Sequence, residues 1–322
     1  MIGVESASMS APGPLLKFAT LGLLTLVWGT TWAAITISLR GIPPFTGVAL
    51  RFAIASVLLI GVARMMGIPL GATSQRDRRL RVLHALLSFC ISYGIVFWAE
   101  QWVPSGLASV LFATFPLLVA VMAHFALPEE RMTVPALIGT GLGFAGIAVI
   151  FAEDFELLGG SMVALAAAVM LISPLVSATV SVAVKKWGSG MHPVPFNAVA
   201  MVMATGVMGV VAAIVERHRP VVLDPGPVAA LLYMAIAGTA ITFPLYFWLL
   251  EHMEARQVAL IGYGTPVVAL FIGAAFMAEP MTARAWVGSA MVVVGVAVAS
   301  QARGRRIGGH SGADSDADSD AG

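Results

Sequence analysis

Ten long apolar runs, separated by short polar connections, dominate this chain of 322 residues. Each run approaches the roughly 20 residues that a helix needs to cross a hydrocarbon layer about 30 Å thick. In lipid, only helices and closed barrels satisfy their own backbone polar groups, and these continuous runs lack the alternation of barrel strands. We therefore predict ten transmembrane helices at 15–38, 45–63, 82–102, 105–127, 133–152, 159–184, 194–215, 228–250, 257–278 and 283–301.

The composition excludes most other protein classes. Only 11% of the residues are charged, whereas about a quarter are charged in a typical soluble domain. Lys and Arg (18) nearly balance Asp and Glu (17), so no net field attracts nucleic acid. The single Cys90 precludes an intramolecular disulfide, and no Cys/His cluster has metal-ligand spacing. We expect an all-α integral membrane protein without metal or cofactor, a monomer or homodimer whose partners are the lipid bilayer and a small molecule.

The distribution of Lys and Arg predicts the orientation. With a cytoplasmic N-terminus, thirteen of the 18 basic residues lie on the cytoplasmic side, and one, Arg51, lies within a helix. The outer loops then hold the remaining four: Arg40, Arg217, Arg219 and Arg284. Because cytoplasmic loops carry the excess of Lys and Arg, both termini should be cytoplasmic. Residues 1–14 then form a cytoplasmic N-terminus. Residues 302–322, which have nothing to bury, form a disordered cytoplasmic tail.

The chain resembles itself at an offset close to 150 residues. The matched pairs are Ile91…Phe97-Trp98…Pro116 with Ile241…Phe247-Trp248…Pro266, Glu130…Gly139…Gly146 with Glu279…Gly288…Gly295, and Pro44-Phe45 with Pro195-Phe196. This predicts two repeats, 15–152 and 159–301, each with five helices. Because five is odd, the second repeat enters the membrane from the opposite side. Two inverted repeats are a recurring plan of secondary transporters, with the binding site between the halves.

Several motifs resemble one transporter family. They are Trp28-Gly29-Thr30-Thr31-Trp32, Ile42-Pro43-Pro44-Phe45, Leu50-Arg51-Phe52, Pro116 followed by Glu130, and Gly139…Gly146. Over residues 15–301 the chain is similar to the EamA branch of the drug/metabolite transporter superfamily. The resemblance implies a ten-helix carrier of the inner membrane, in a family with many exporters of amino acids and related metabolites. The second half departs from the first, since it lacks the Trp-Gly motif and has Val202 opposite Arg51.

Arg51 is the clearest candidate for a functional charge within the membrane. It lies about six residues into the second predicted helix, which is on the order of 9 Å at 1.5 Å per residue. A charge at this depth is costly and by default suggests function, here a cation that binds a substrate carboxylate or a helix C-terminus. The alternative is a structural Arg that snorkels outward or binds loop carbonyls.

Aromatic residues near helix middles and ends form a second candidate set. Stacking and cation–π contacts from such rings suit a cavity for an amphipathic solute, although Trp and Tyr also act as interface anchors. The candidates, together with Arg51, are Trp28, Trp32, Tyr93, Trp98, Tyr246, Trp248 and Tyr263. Trp28 and Trp32, four residues apart on one helix face, are the preferred pair.

Two carboxylates and four prolines complete the candidates. Glu100 and Glu251 end repeat-related helices and are candidates for gating or proton relay, the alternative being solvated helix ends. No acidic residue lies in the middle of a predicted helix, so both facilitated and exchange transport stay open. Prolines within helices remove a backbone hydrogen bond and predict kinks at Pro116, Pro174, Pro244 and Pro266.

The sequence therefore predicts a secondary active or facilitative carrier that exports small metabolites by alternating access. An enzyme would need a nucleophile, base or metal ligands within the helices, and we find no Ser/His/Asp grouping, His-Glu-x-x-His motif or paired intramembrane carboxylates. We expect that the protein is not an enzyme. A membrane-embedded enzyme and a channel remain the alternatives; the internal repeat favours a self-contained carrier over a channel.

Overall fold

The computed structural model of the chain describes residues 13–127, 132–152, 160–253, 258, 261–279 and 281–301. Ten helices account for nearly all of these residues: α1 Pro14–Ser38, α2 Pro44–Met65, α3 Gln75–Ala99, α4 Ser105–Ala126, α5 Val134–Phe151, α6 Ser161–Trp187, α7 Pro193–Val215, α8 225–252, α9 Ile261–Phe276 and α10 Ala283–Gln301. Among the described residues, seven helices are long and apolar enough to span a membrane, and α5, α9 and α10 provide shorter apolar segments. The predicted all-helical fold with ten helices is confirmed.

The third predicted helix, 82–102, is wrong at its start. The side chain of Ser74 accepts a hydrogen bond from the Asp77 backbone N–H at 3.0 Å, so it caps a helix that begins at Gln75. Asp77 in turn forms an ion pair with Arg81, 2.7 Å between Arg81 Nε and Asp77 Oδ1. These polar interactions extend α3 beyond its apolar segment, which hydropathy alone does not predict.

The four prolines have different effects on their helices. The two segments of α4 meet at 113–114, just before Pro116, and those of α6 meet at Leu171, just before Pro174. Pro244 follows a π-helical segment within α8, whereas α9 continues through Pro266 without a break. Pro lacks the N–H that would pair within the helix, and the helical pattern changes near three of the four prolines.

Repeat-equivalent π-helical segments interrupt α3 and α8. They are His84–Ser92 and Ile236–Ile241, about 150 residues apart. A hydroxyl side chain at the end of each segment accepts a hydrogen bond from the other half. Ser177 of α6 donates to Ser92 at 2.9 Å, and Trp28 of α1 donates to Thr242 at 3.1 Å. Such segments often mark functional sites. The apolar pattern of the sequence does not predict them.

Equivalent helices of the two halves pack antiparallel to each other. Along the seam between α5 and α10, Gly139 lies against Gly295, whereas Gly146 lies against Gly288. The residue numbers therefore rise along one helix and fall along the other. The same holds for two other pairs of equivalent helices. Glu216, which follows the end of α7, accepts a hydrogen bond from the start of α2, and Glu279, which follows the end of α9, accepts one from the start of α4.

This antiparallel pairing is what inverted repeats require, because an axis that relates antiparallel partners is perpendicular to them. The same pseudosymmetry pairs α1 with α8 and α9, and α6 with α3 and α4. We call the end at which α1, α3, α7 and α9 finish the capped end, and the opposite one the basic end. At the capped end Arg219 donates to Gln101 at 2.9 Å, and the Val222 N–H donates to the Gly41 carbonyl at 2.8 Å.

The seam between α5 and α10 yields a paired prediction. A Cβ at Gly139 would lie 2.5 Å from the Gly295 carbonyl oxygen and 2.8 Å from the Ala299 Cα, whereas a Cβ at Gly141 meets nothing within 4 Å. Gly139→Ala should therefore force two backbones apart and cost roughly 1–3 kcal/mol. Gly141→Ala should be neutral or slightly stabilising, since Ala is the better helix former.

The measurement is the midpoint of thermal unfolding of each purified variant in the same detergent. Gly139→Ala should unfold at a clearly lower temperature than the matched Gly141→Ala. Equal midpoints for the two variants would show that the seam is not a close backbone contact.

Candidate functional site

Arg51 lies at the interface of the two halves and does not snorkel. Its residue is 3% exposed, and its Nε donates to the Thr239 Oγ1 in the π-helical segment of α8 at 3.2 Å. A weaker contact joins its Nη1 to the Met234 Sδ at 3.7 Å. Because both partners belong to the second half and neither is a loop carbonyl, the guanidinium bridges the halves instead of reaching the surface.

An aromatic ring completes the surroundings of Arg51. Its Cζ lies 5.0 Å from the centre of the Tyr93 ring, a cation–π contact from α3. The ion pair found among the described residues is that between Arg81 and Asp77, so no described carboxylate is in direct contact with Arg51. We call Arg51, Tyr93, Met234 and Thr239 the Arg51 site.

Glu100 is buried, so its alternative interpretation as a solvated helix end is wrong. It is 4% exposed, and its Oε2 accepts from the Thr36 hydroxyl of α1 at 3.1 Å. Its Oε1 has no hydrogen-bond partner among the described residues. Burial comes from neighbouring helices, which the position of Glu100 at the end of an apolar run does not reveal. One carboxyl oxygen therefore remains available to a proton or to a donor group.

The motif 28–32 in α1 is a contact strip against other helices. Gly29 permits the approach of α9, because a Cβ there would lie 2.5 Å from the Val268 Cβ. The Thr30 and Tyr233 hydroxyls are 2.5 Å apart and share a hydrogen bond between α1 and α8. Thr31 packs on Gly238 next to the Arg51 site, with 2.7 Å between its Cγ2 and a Cβ built at Gly238.

The preferred aromatic pair lies in this strip. Trp28 donates to Thr242 and packs near Tyr246, with 5.5 Å between their ring centres. Trp32 is buried, and its ring centre lies 5.7 Å from that of Phe112 in α4. These aromatic residues thus surround the interface of α1 with α4 and α8. The rings are packed against protein here, which indicates a closed arrangement.

The other candidates lie apart from this interface. Trp98 packs on Trp102 near the capped end, with 4.9 Å between ring centres. Trp248 stacks on His252 near the basic end at 4.8 Å. The side chains of Tyr263 and Glu251 lie outside the described part of the chain, as does Glu130. Among the described residues, the cation–π contact of Arg51 is with Tyr93 and not with Trp98 or Trp248.

Several site residues were missed in the sequence because they are ordinary apolar-helix residues. Three polar side chains of α8 form hydrogen bonds with α1 or α2: Thr239, Tyr233 and Thr242. Their role depends on this packing, which the sequence of α8 alone does not reveal. Comparison of the two repeats in the sequence offers one signal for Thr242. It is equivalent to Ser92, which also bears a hydroxyl, and the Ser92 hydroxyl lies 2.7 Å from that of Ser173. Pairs of hydroxyls at equivalent positions could have been found in this way.

The Arg51 site presents a buried cation, hydroxyls and an aromatic face at the contact between the two halves. These groups suit recognition of a small polar or amphipathic molecule by charge, hydrogen bonding and stacking. A separate groove of about 440 Å³ lies on the surface of α3, lined by Gln75, Arg78, Arg79, Val82, Leu83, Leu86 and Leu87. That groove is not part of the interface between the halves.

Comparison with known proteins supports a single family. The model of the EamA-like transporter family matches residues 17–152 and again 164–301. The uncharacterized transporter YoaV of Bacillus subtilis (strain 168) is 28% identical over 280 residues, 86% of this chain and 94% of that protein. The uncharacterized inner membrane transporter YedA of Escherichia coli (strain K12) is 28% identical over 284 residues, 87% of this chain and 89% of that protein.

A solved crystal structure has the same fold. It superposes with a TM-score of 0.63 at 20% sequence identity and covers 90% of this chain and 99% of the other. At this identity the likeness concerns the fold alone.

The packing of Thr31 on Gly238 provides a test of the site's geometry. Gly238→Ala should push α1 away from the π-helical segment and cost roughly 1–3 kcal/mol, because the new Cβ would overlap the Thr31 methyl group. Thr31→Ser removes that methyl group, so the double variant should recover most of the loss. Gly226→Ala, also in α8 but with nothing within 4 Å, is the matched control.

Thermal unfolding in detergent of the original protein, the two single variants, the double variant and the Gly226→Ala control measures this coupling. Additive losses in Gly238→Ala/Thr31→Ser would contradict direct packing of these two residues.

Proposed function

This chain belongs to the EamA-like transporter family and is a multi-pass membrane transporter, and on that premise we propose that it exports a small polar or amphipathic metabolite, such as an amino acid or a related compound, by alternating access. The antiparallel pairing of equivalent helices is the observation that supports this most. Two similar halves in opposite orientations give inward-open and outward-open states of comparable energy, so rocking can exchange them. Transport would be either secondary active or facilitative.

The orientation that we propose follows the basic residues. The basic end would face the cytoplasm together with both termini, and the capped end would face outward. The membrane would be the inner membrane, because the relative YedA is described as an inner membrane transporter. The two repeats, 15–152 and 159–301, would be the moving units, with 1–14 and 302–322 as cytoplasmic extensions.

Arg51 would bind an anionic group of the substrate, such as a carboxylate. Its guanidinium carries five donors, and the hydrogen bonds it forms among the described residues go to a hydroxyl and a thioether. Trp28, Trp32, Tyr93 and Tyr246 would provide aromatic faces for the rest of the substrate. Glu100 would act in gating at the capped end, with Glu251 as its repeat-related counterpart.

The experiment has two stages. A comparison of metabolites released by cells with and without overexpression identifies the substrate, and purified protein in liposomes then gives the flux of that substrate. Saturable flux that is stimulated by counterflow supports a carrier. Conductance that does not saturate would indicate a channel, and turnover of a lipid without net flux would indicate an enzyme.

We predict that Arg51→Gln weakens transport of an anionic or zwitterionic substrate about 10- to 100-fold, since hydrogen bonds to a charged group contribute about 1.5–3 kcal/mol. The loss should appear in the counterflow rate at low substrate concentration, while the purified variant keeps its unfolding midpoint within a few degrees. Arg51→Lys, which keeps the charge but loses the forked geometry, should be intermediate.

The matched control is Ser56→Ala, a nearby buried residue of α2 whose hydroxyl bonds within its own helix, to the Ala53 carbonyl. It should transport like the original protein. If Arg51→Gln lowered the yield but left the apparent affinity unchanged, Arg51 would have a structural role only.

A further inference from the structure

Glu216 joins the two halves through a compact set of hydrogen bonds. The residue follows the last turn of α7, and its Oε1 accepts from the Phe45 N–H at 2.8 Å. Its Oε2 accepts from the Thr46 N–H at 2.8 Å and from the Thr46 hydroxyl at 2.7 Å. We call these contacts the Glu216 clasp. It connects the second half to the first turn of α2.

The clasp has the features of a strong interaction. Glu216 is 5% exposed, so solvent screens it little, and each hydrogen bond has an ionisable carboxylate as acceptor. Its partners are backbone donors at the start of a helix, where such donors lack partners within the helix and the helix dipole favours a negative charge. To separate the halves at the capped end, the protein must give up these bonds.

A second clasp lies at the same end. The Oε1 of Glu279 accepts from the Ser105 N–H at 2.8 Å, and its Oε2 accepts from the Gly106 N–H at 3.0 Å, so it bonds the start of α4. In the sequence, Glu279 has a repeat counterpart in Glu130. The repeat therefore provides this type of carboxylate to both halves.

Among the described residues, the Glu216 clasp has no carboxylate counterpart at the equivalent helix start. The offset that relates Pro44-Phe45 to Pro195-Phe196 places Met65 at the position equivalent to Glu216. Met65 is 89% exposed and carries no acceptor comparable to a carboxylate. At the equivalent start of α7, His192 instead accepts from the nearby Val194 N–H at 3.3 Å. The start of α7 does contact the first half, with 3.2 Å between the His84 Nε2 and the Asn197 Oδ1, but this contact is neutral. Among the described residues, the two equivalent helix starts thus differ in that only the start of α2 is held by a carboxylate.

We infer that Glu216 is a positioning residue that biases the carrier at rest toward the state closed at the capped end. The inference rests on the proposed alternating access, since only a carrier with two such states has a balance to bias. Repeats alone would make the two closures nearly equal in energy, and one unmatched clasp makes them unequal. Because α2 also carries Arg51, the clasp keeps this helix, and with it the Arg51 site, shut off from the capped end.

The test uses two buried reporters, one at each end, in a Cys90→Ala background. Ser105→Cys is nearly isosteric and places a thiol at the fully buried start of α4, at the capped end. Ala63→Cys places a thiol at a fully buried position in the last turn of α2, at the basic end. Each is introduced separately, and its rate of reaction with a maleimide is measured in proteoliposomes, with and without Glu216→Gln.

Glu216→Gln keeps the size of the side chain but removes its charge and one acceptor oxygen. We expect the thiol at 105 to react at least about tenfold faster and the thiol at 63 to react more slowly, since hydrogen bonds to charged groups are the stronger kind. Glu216→Asp, which keeps the carboxylate, should lie closer to the original protein. Arg219→Gln, which removes an exposed hydrogen bond between the halves in the same loop, should change both rates far less than Glu216→Gln, because exposed polar contacts contribute little.

Opposite changes at the two reporters are the decisive readout. A merely structural role for Glu216 would loosen the protein and raise both rates, and this result, like unchanged rates, would overturn the inference. The proposed function is tested separately by adding substrate to the protein with Glu216 intact. If substrate shifts the two reporters in opposite directions while Glu216→Gln does not, alternating access holds and the role of Glu216 does not.

Discussion

The close antiparallel contact between α5 and α10 is the constraint on which the rest of the structure depends. At Gly139, Gly146, Gly288 and Gly295 the two backbones approach so closely that an added Cβ would overlap the opposite helix. Lipid provides little hydrophobic drive for helix association, so close packing of small residues is a main source of attraction. The seam packs the second half upside down against the first, the orientation that five helices per repeat require. The contacts of Glu216 with the start of α2 and of Glu279 with the start of α4 have the same antiparallel sense.

The polar groups of the molecule are concentrated where the halves meet. Arg51 reaches Thr239 across the interface, Trp28 reaches Thr242, and the carboxylates of Glu216 and Glu279 bond helix starts of the first half. Buried polar groups are costly unless they are satisfied, so each of these contacts ties the halves together in the closed arrangement. A carrier that opens must exchange such contacts for others, with substrate or with water. The interface therefore stabilises the closed arrangement, and it is where we propose that the substrate binds.

Much of the fold could be predicted from the sequence, because lipid restricts the choice to helices whose length and apolar character are visible in single segments. The internal repeat at an offset close to 150 residues, together with the odd number of helices in each repeat, predicted that the second half is inverted relative to the first. The predicted start of α3 was wrong because Ser74 and Asp77 extend the helix through polar contacts, and hydropathy does not reveal the π-helical segments.

The site was harder to predict than the fold. Arg51 and Trp28 are unusual residue types within apolar helices and could be selected from the sequence. Thr239 and Glu216 could not, because their roles depend on partners far away in the chain. Burial of Glu100 likewise depends on neighbouring helices.

The inverted orientation of the two halves is tested most directly by labelling two repeat-equivalent positions. Met66, which follows α2, and Arg217, which follows α7, are both exposed and correspond at the offset of 151. Each is replaced by Cys in a Cys90→Ala background, and a membrane-impermeant maleimide is applied to intact cells and to inverted vesicles. The account predicts that the thiol at 217 reacts in intact cells and the thiol at 66 in inverted vesicles. Reaction of both thiols from the same side would contradict it.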